Sequence, residues 1–322
     1  MRTRSIIAIA VAGTLAAVCC ALFATVYAYA GWYGVNSVFK RGGSVWARVA
    51  PDDLKLSSSM QVALQQPAPT AVAGSFAWRE VAAGFEVTEL PVLSRGRVVD
   101  RLLLARIDPG KFRFVVRTSP AGDKTLTDWM RELHPALVIN GSYFGHDGRP
   151  DTPLISAGVR LGPRSYPASH GAFIASSGGI FDLRQNDWHA LLRDAEDALV
   201  SYPLLVAEDG SSRVKADPRW LANRSFVAKD GAGRVILGTT GEAFFSLDRL
   251  ADFLRAAPLD IKIALNLDGG PVACQGIELN GYQRDFCGDW EMKTEAGELR
   301  LLQRLIGNQR WGLPIVIAAL PR

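Results

Sequence analysis

The chain has 322 residues, of which 48% are hydrophobic and 21% charged, with a formal net charge of +4. That length can bury a substantial core, and that composition excludes a disordered chain. The charge is mild and holds no dense Lys/Arg run, so it gives no basis for a nucleic-acid partner.

The first element is predicted at the N-terminus. Arg2 and Arg4 are followed by no charged residue until Lys40, and Ser5 to Ala30 is almost wholly apolar. At 1.5 Å per helical residue that stretch reaches about 39 Å, enough to cross a hydrocarbon core with tilt. Residues 1–30 are therefore expected to be a transmembrane signal anchor or a signal peptide. The two arginines stay in the cytoplasm, so the rest of the chain is membrane-anchored and lies outside it, periplasmic or extracellular. The rival is cleavage at Ala28-Tyr29-Ala30, which would give a secreted protein. The apolar stretch is unusually long for a cleaved signal. It also continues past Cys19 and Cys20, which disfavours a lipoprotein site there. A buried core helix is disfavoured by length and by terminal position.

Residues 31–74 read as a juxtamembrane linker. Gly42-Gly43, Ser57-Ser58-Ser59 and Gln65-Gln66-Pro67-Ala68-Pro69 interrupt any regular pattern. A short helix can lie between them. Residues 75–322 form the expected domain. Arg101 to Ile107 and Phe112 to Arg117 read as two strands joined by a tight turn at Asp108-Pro109-Gly110. Thr125 or Thr127 can cap a helix over Asp128 to Leu133, which Pro135 ends. Ala136 to Ile139 is then a buried strand leading into Asn140-Gly141-Ser142-Tyr143-Phe144.

The same order recurs later. Arg234 to Leu237 reads as a strand, and Ser246 as the cap of a helix from Leu247 to Arg255. Ile261 to Leu265 is a buried strand leading into Asn266-Leu267-Asp268-Gly269-Gly270. Mixed elements with few helical periods predict an α+β fold, a sheet-rich mixed domain with a few short helices, preceded by one transmembrane helix. Cys274 and Cys287 are close enough to form one disulfide in an oxidising compartment, and neither their spacing nor a nearby His suggests zinc.

Buried strands that end in polar turns deliver side chains to a sheet edge, where ligands bind. Asp268 follows an apolar run, so its carboxyl sits near a low-dielectric core and is a candidate for a tuned pKa. Gly269 and Gly270 permit close approach of a ligand. The plainer alternative is a turn in which Asp268 bonds its own backbone. Asn140 and Ser142 offer hydrogen bonds to a sugar or phosphate, and Tyr143 and Phe144 a stacking face, unless both rings are simply core. Arg224-Ser225 precedes another apolar run. A guanidinium fork suits a phosphate, though a surface ion pair is the commoner use.

Together these segments resemble the phosphodiester glycosidase family. The marks are Asn140-Gly141-Ser142-Tyr143-Phe144, Pro203-Leu204-Leu205-Val206, Arg224-Ser225, and Leu265-Asn266-Leu267-Asp268-Gly269-Gly270. The resemblance runs from about Phe76 to the C-terminus. The family commonly continues Gly-Ser-Ser after the paired glycines, where Pro271-Val272-Ala273 stand here, so two hydroxyls are missing. The family's small residues after Arg224-Ser225 are replaced by Phe226, Val227 and Ala228.

The resemblance implies a hydrolase acting on the bond between a sugar's anomeric carbon and a phosphate ester, in an envelope glycan or glycoconjugate. Arg224 would neutralise charge on the leaving phosphate. Asp268 would stabilise the oxocarbenium-like carbon or activate water. Glu242 is the expected second carboxylate. Asn140, Gly141, Ser142, Tyr143, Phe144, Ser225, Gly269 and Gly270 would line the substrate, and Asn266 would hold Asp268. His170 is a further candidate acid. No cofactor is demanded, and Asp268 with nearby carbonyls can accommodate a divalent cation such as Ca or Mg. The competing readings are a non-catalytic protein of the same fold that binds an envelope glycan or phosphoglycan, and a phosphodiesterase that cuts the P–O bond.

Overall fold

The computed structural model describes residues 2–192, 195–215, 219–307 and 309–322. Sheets dominate it, as the pattern predicts, and every strand pairing among the described residues is antiparallel. The largest sheet runs in the order Leu204–Val206, Ile261–Asn266, Ser225–Asp230, Val235–Thr240, Arg97–Ile107, Phe85–Ser94 and Val72–Ala73, with Arg79–Ala82 also paired to Phe85–Ser94. A five-stranded sheet runs Tyr282–Cys287, Cys274–Leu279, Leu137–Asn140, Ile315–Pro321, Phe112–Thr118.

These two sheets face each other, and the alternation of side chains says why. Along Arg97–Ile107, Leu103, Ala105 and Ile107 point into the space between the sheets, where they meet Phe114, Val116, Ile139, Ile277 and Ile317. Leu102 and Leu104 point the other way and pack with Phe226, Ile236, Leu250, Phe253 and Met60. A strand apolar on both faces needs a cover on each side, and the outer one comes from the helices Leu247–Ala256 and Ser58–Ala63. The helix Leu126–Leu133 covers the five-stranded sheet in the same way, with Leu126 and Trp129 on Val138, Val316 and Ala318. The result is two sheets with helices outside both. A second five-stranded sheet and a four-stranded sheet flank them.

Three expectations change in the folded chain. The strands on either side of Asp108-Pro109-Gly110 do not pair with each other. Arg97–Ile107 belongs to the large sheet and Phe112–Thr118 to the facing one, so the turn carries the chain across the core. Their apolar faces are both needed for the layer between the sheets. Residues 31–74, expected as a linker, contain the strand Ser44–Arg48, which pairs with Glu298–Arg304, and the helix Ser58–Ala63, capped by Ser57. Leu56, Met60 and Ala63 are buried, and burial of these apolar groups holds the segment down. Ser246 begins its helix without a side-chain capping bond, whereas Thr125 forms a full capping box with Asp128.

Arg2–Val35 is helical apart from Gly31, whose φ of 56° lies in the left-handed region and breaks the rod. Ile9–Lys40 is long and apolar enough to cross a membrane. Cys274 and Cys287 are opposed on neighbouring strands and form the disulfide, while Cys19 and Cys20 are free and exposed on the helix.

Candidate active site

The two polar turns lie in different sheets, and they are bolted together. The Asp268 backbone N–H donates to the Gly141 carbonyl at 3.0 Å, and the Asn140 side-chain amide donates to the Asp268 carbonyl at 2.8 Å. The Asn140 side-chain oxygen also accepts from the Cys274 N–H at 3.1 Å. Asn140 is therefore a bracket between the turns, its side chain spent on backbone. Gly141 packs flat against Ile315, where any side chain would collide.

Asp268 accepts from the Gly269 N–H at 2.8 Å, so the plain turn bond exists. The carboxyl does more than make it. Burial pushes its pKa up to about 8, against that hydrogen bond; the negative charges of Glu291 and Asp151 push the same way and Arg224 opposes them. Arg224 comes from the start of the neighbouring strand and is itself buried. Its guanidinium donates to the Phe245 carbonyl at 3.2 Å and the Trp220 carbonyl at 3.0 Å, and no carboxylate lies within ion-pair distance among the described residues. Burial lowers its pKa, and Tyr143, Glu291, Asp268 and Asp248 act against that. A cation held by neutral carbonyls is preorganised for an anionic ligand.

The paired glycines have a steric reason. A Cβ at Gly269 would lie 2.9 Å from the Asn223 carbonyl oxygen and 3.4 Å from the Arg224 guanidinium. Gly270 has φ 66°, and a Cβ there would sit 2.6 Å from the Glu291 carboxylate. The turn thus passes between Arg224 and Glu291 at backbone contact. Glu291 accepts from the Trp220 indole at 2.6 Å; burial raises its pKa while Trp220 and Arg224 lower it.

Glu242, the expected second carboxylate, stands elsewhere. Its loop is fixed by Asp100, which accepts from the Gly241 and Glu242 N–H groups, and its own carboxyl faces Ser57 and Asp289. Burial raises its pKa too, but the charges that act on Asp268 are Glu291, Asp151 and Arg224. Ser225 points away from Arg224, as alternation along a strand requires, and its hydroxyl pairs with Thr239 at 3.0 Å in the buried interior.

On the other side of Asp268 an aromatic stack forms a wall. Tyr143 lies on Tyr202 with centroids 4.4 Å apart, and Tyr202 lies on His170 at 4.4 Å. Asn266 fixes the stack by donating to the Tyr143 hydroxyl at 2.7 Å and the Tyr202 carbonyl at 3.0 Å, so it orients the wall rather than Asp268. Burial raises the Tyr143 pKa and lowers that of His170, so both are neutral at pH 7. Around this wall Ser142 Oγ, Ser201 Oγ, Asn266 Oδ1 and His170 Nδ1 are buried with no hydrogen-bond partner among the described residues. Such orphaned polar atoms are rare in a packed interior and suit a hydroxyl-rich ligand. Phe144 belongs to the rim, on a short hairpin that closes through Pro150.

Pro271 and Val272 lie in the short 3₁₀ helix Gly270–Val272, and Ala273 caps its end in extended conformation. Val272 is buried against the cluster around Trp129 and Leu313, so its side chain serves packing. Among the described residues no group of three or more His, Cys, Asp or Glu is placed to hold a metal ion.

Sequence reasoning missed Glu291, Asp151 and Tyr202. Glu291 and Asp151 follow no buried apolar strand, so the signal that singles out Asp268 is absent there; Tyr202 does follow one, Ala198–Ser201, but leads into Pro203 rather than a polar glycine turn. The acidic-aromatic run Asp289-Trp290-Glu291 beside Cys287 was the one local hint.

The phosphodiester glycosidase family model matches residues 134–274. No curated protein matches the sequence. Among solved structures, the catalytic domain of zebrafish N-acetylglucosamine-1-phosphodiester alpha-N-acetylglucosaminidase, auto-inhibited by its pro-peptide, is similar at 16% identity and a TM-score of 0.49, covering 79% of this chain and 89% of that one. A hypothetical protein from Synechocystis is similar at 16% identity and a TM-score of 0.47, covering 78% of this chain and 64% of that one. The segment 134–274, which holds both polar turns and Arg224, is thus matched to the phosphodiester glycosidase family.

Proposed function

We propose that this protein is a membrane-anchored, extracytoplasmic hydrolase that cleaves a sugar-1-phosphodiester at the anomeric carbon–oxygen bond. The observation that carries the reading is the meeting of Asp268, with its pKa pushed up to about 8, with the buried Arg224 guanidinium, held by carbonyls and by no carboxylate among the described residues, at one glycine turn. Arg224 takes the phosphate. Asp268, ionised, removes a proton from the attacking water; a carboxylate with so high a pKa is a far stronger base than an ordinary one. The bond from carbon to the phosphate oxygen breaks, and Arg224 balances the charge left on that oxygen. Glu291 replaces Glu242 as the second carboxylate and sets the field around Asp268 and Arg224. The stacked rings and the orphaned hydroxyls of Ser142 and Ser201 receive the sugar. The disulfide and the apolar N-terminal helix support an exported location.

Hydrolysis in oxygen-18 water tests this, with an N-acetylglucosamine-1-phosphodiester as substrate. Label in the released sugar is the expected result. Label in phosphate assigns a phosphodiesterase instead. Binding with no turnover assigns the non-catalytic reading, which the loss of two hydroxyls at Val272 and Ala273 favours.

A further inference from the structure

We propose that the substrate is itself a membrane lipid: a sugar-1-phosphate diester whose aglycone is a lipid alcohol held in the bilayer and admitted to the site from the headgroup layer. This rests on the glycosidase reading above and goes beyond it in naming the aglycone.

The first observation is the level of the site. About 20 helical residues span a hydrocarbon core of about 30 Å, so a helix entering near Ser5 leaves it near Ala24. At that level the chain gathers aromatic rings. Gly31 reverses it, and residues 32–40 fold back so that Phe39 meets Phe23 at 6.0 Å and Trp32 meets Tyr27 at 5.3 Å. All four rings are exposed, which suits the headgroup boundary.

The second observation is that the catalytic body docks at the same level. The Asn36 side chain donates to the Ala121 carbonyl at 2.6 Å, and the Arg41 guanidinium donates to the carbonyls of Arg310 and Asp123. Tyr33 packs on Phe144 with centroids 5.1 Å apart, and Tyr29 on His146 at 5.3 Å. The rim hairpin of the site therefore rests on the last turns of the helix.

The third is the space left between them. A cleft of about 790 Å³ has Val26, Ala30 and Gly34 on its helix side and Phe144, Asp151 and Trp311 on its body side. Its apolar wall is continuous with the exposed face of the helix. Its inner end reaches the chemistry: Asp151, part of its lining, donates its backbone N–H to the Tyr143 carbonyl at 3.0 Å, and Tyr143 belongs to the aromatic wall that Asn266 holds beside the Asp268 turn. A glycan free in water has no use for such a wall, whereas a lipid alcohol keeps its first carbons in apolar contact all the way to the reacting phosphate. In the reaction the oxygen of water bonds to the anomeric carbon and Asp268 takes its proton. The carbon–oxygen bond breaks with its electron pair going to the phosphate. The lipid phosphate monoester stays in the bilayer and the sugar leaves.

The test uses the full chain in phosphatidylethanolamine–phosphatidylglycerol vesicles, with N-acetylglucosamine-1-phosphate diesters of methanol and of a twenty-carbon prenol. The expected result is a kcat/KM at least tenfold higher for the prenyl ester. A benzophenone-bearing prenyl diester should label residues 26–38 or 144–151, as mapped by mass spectrometry. Val26→Trp, which fills the cleft, should cut that labelling and the prenyl-ester rate at least tenfold while sparing the methyl ester; this separates entry through the cleft from simple enrichment in the vesicle. Equal kcat/KM for both esters, or label confined to residues 7–22, overturns the proposal. Label in the cleft with no turnover of either ester upholds the lipid site and overturns the glycosidase reading instead.

Discussion

Asp268 keeps its proton to about pH 8 because the fold takes its carboxyl out of water and sets Glu291 and Asp151 near it. The sign of the consequence follows by linkage. Its folded pKa lies above the ordinary aspartate value of 3.8, so between the two the folded state binds a proton that the unfolded state has lost. The associated stability is fully present below pH 3.8 and drains away as pH rises toward 8. Asp268→Asn removes that charge at nearly constant shape and keeps an oxygen for the Gly269 N–H. It should lower kcat by roughly 10²–10⁴-fold and raise stability at pH 8, read by turnover and by denaturant titration. In the wild type, kcat/KM should climb with pH toward an inflection near 8, as the ionised base becomes populated. A rate that falls through that range would make Asp268 the acid. Glu291→Gln should cost activity at least tenfold and shift that inflection downward, since one negative neighbour of Asp268 is gone. Glu242→Gln should leave the inflection in place. The contrast between these carboxylates shows how far the residue scale was legible. Asp268 and Arg224 stand beside apolar strands and announce themselves; Glu291 does not, because it reaches the site through strand pairing in a different sheet.

At the scale of elements, the sequence carries most of the local structure. Of the two threonines that could cap the helix before Leu133, Thr125 does so, with Asp128 completing a capping box, and the buried strands appear at Leu137–Asn140 and Ile261–Asn266. What the pattern could not say is which strand pairs with which. Arg97–Ile107 and Phe112–Thr118 look like a hairpin because a Pro-Gly turn separates them, yet each is apolar enough to serve a separate layer. Residues 31–74 look like a linker because Gly, Ser and Pro break the period, yet Leu56, Met60 and Ala63 suffice to dock them. Met60→Ala should accordingly destabilise the whole domain by about 2–5 kcal/mol, measured by denaturant unfolding, as a buried large-to-small change does. A linker would show almost nothing. Reduction of Cys274–Cys287, which closes a loop with a sequence separation of 13, should cost about 3 kcal/mol in the same measurement.

At the scale of the molecule, an apolar helix, a reversal at Gly31 and a sheet domain make one body, joined through Asn36, Arg41 and Tyr33. A reporter enzyme that needs disulfides for activity, fused after Arg322, should be active in whole cells; activity only when Arg2 and Arg4 are replaced would reverse the orientation. The sequence by itself determined the apolar helix, the sheet-rich class, the disulfide pair and the two polar turns, because each rests on periodicity, length or spacing along the chain. Only the tertiary structure decided that the turns at Asn140 and Asp268 are bound to each other and that Glu291, rather than Glu242, acts on the Asp268 carboxyl. It alone set the site against the end of the helix. Those are contacts between residues far apart in sequence. They are selected by packing between layers, which no local pattern encodes.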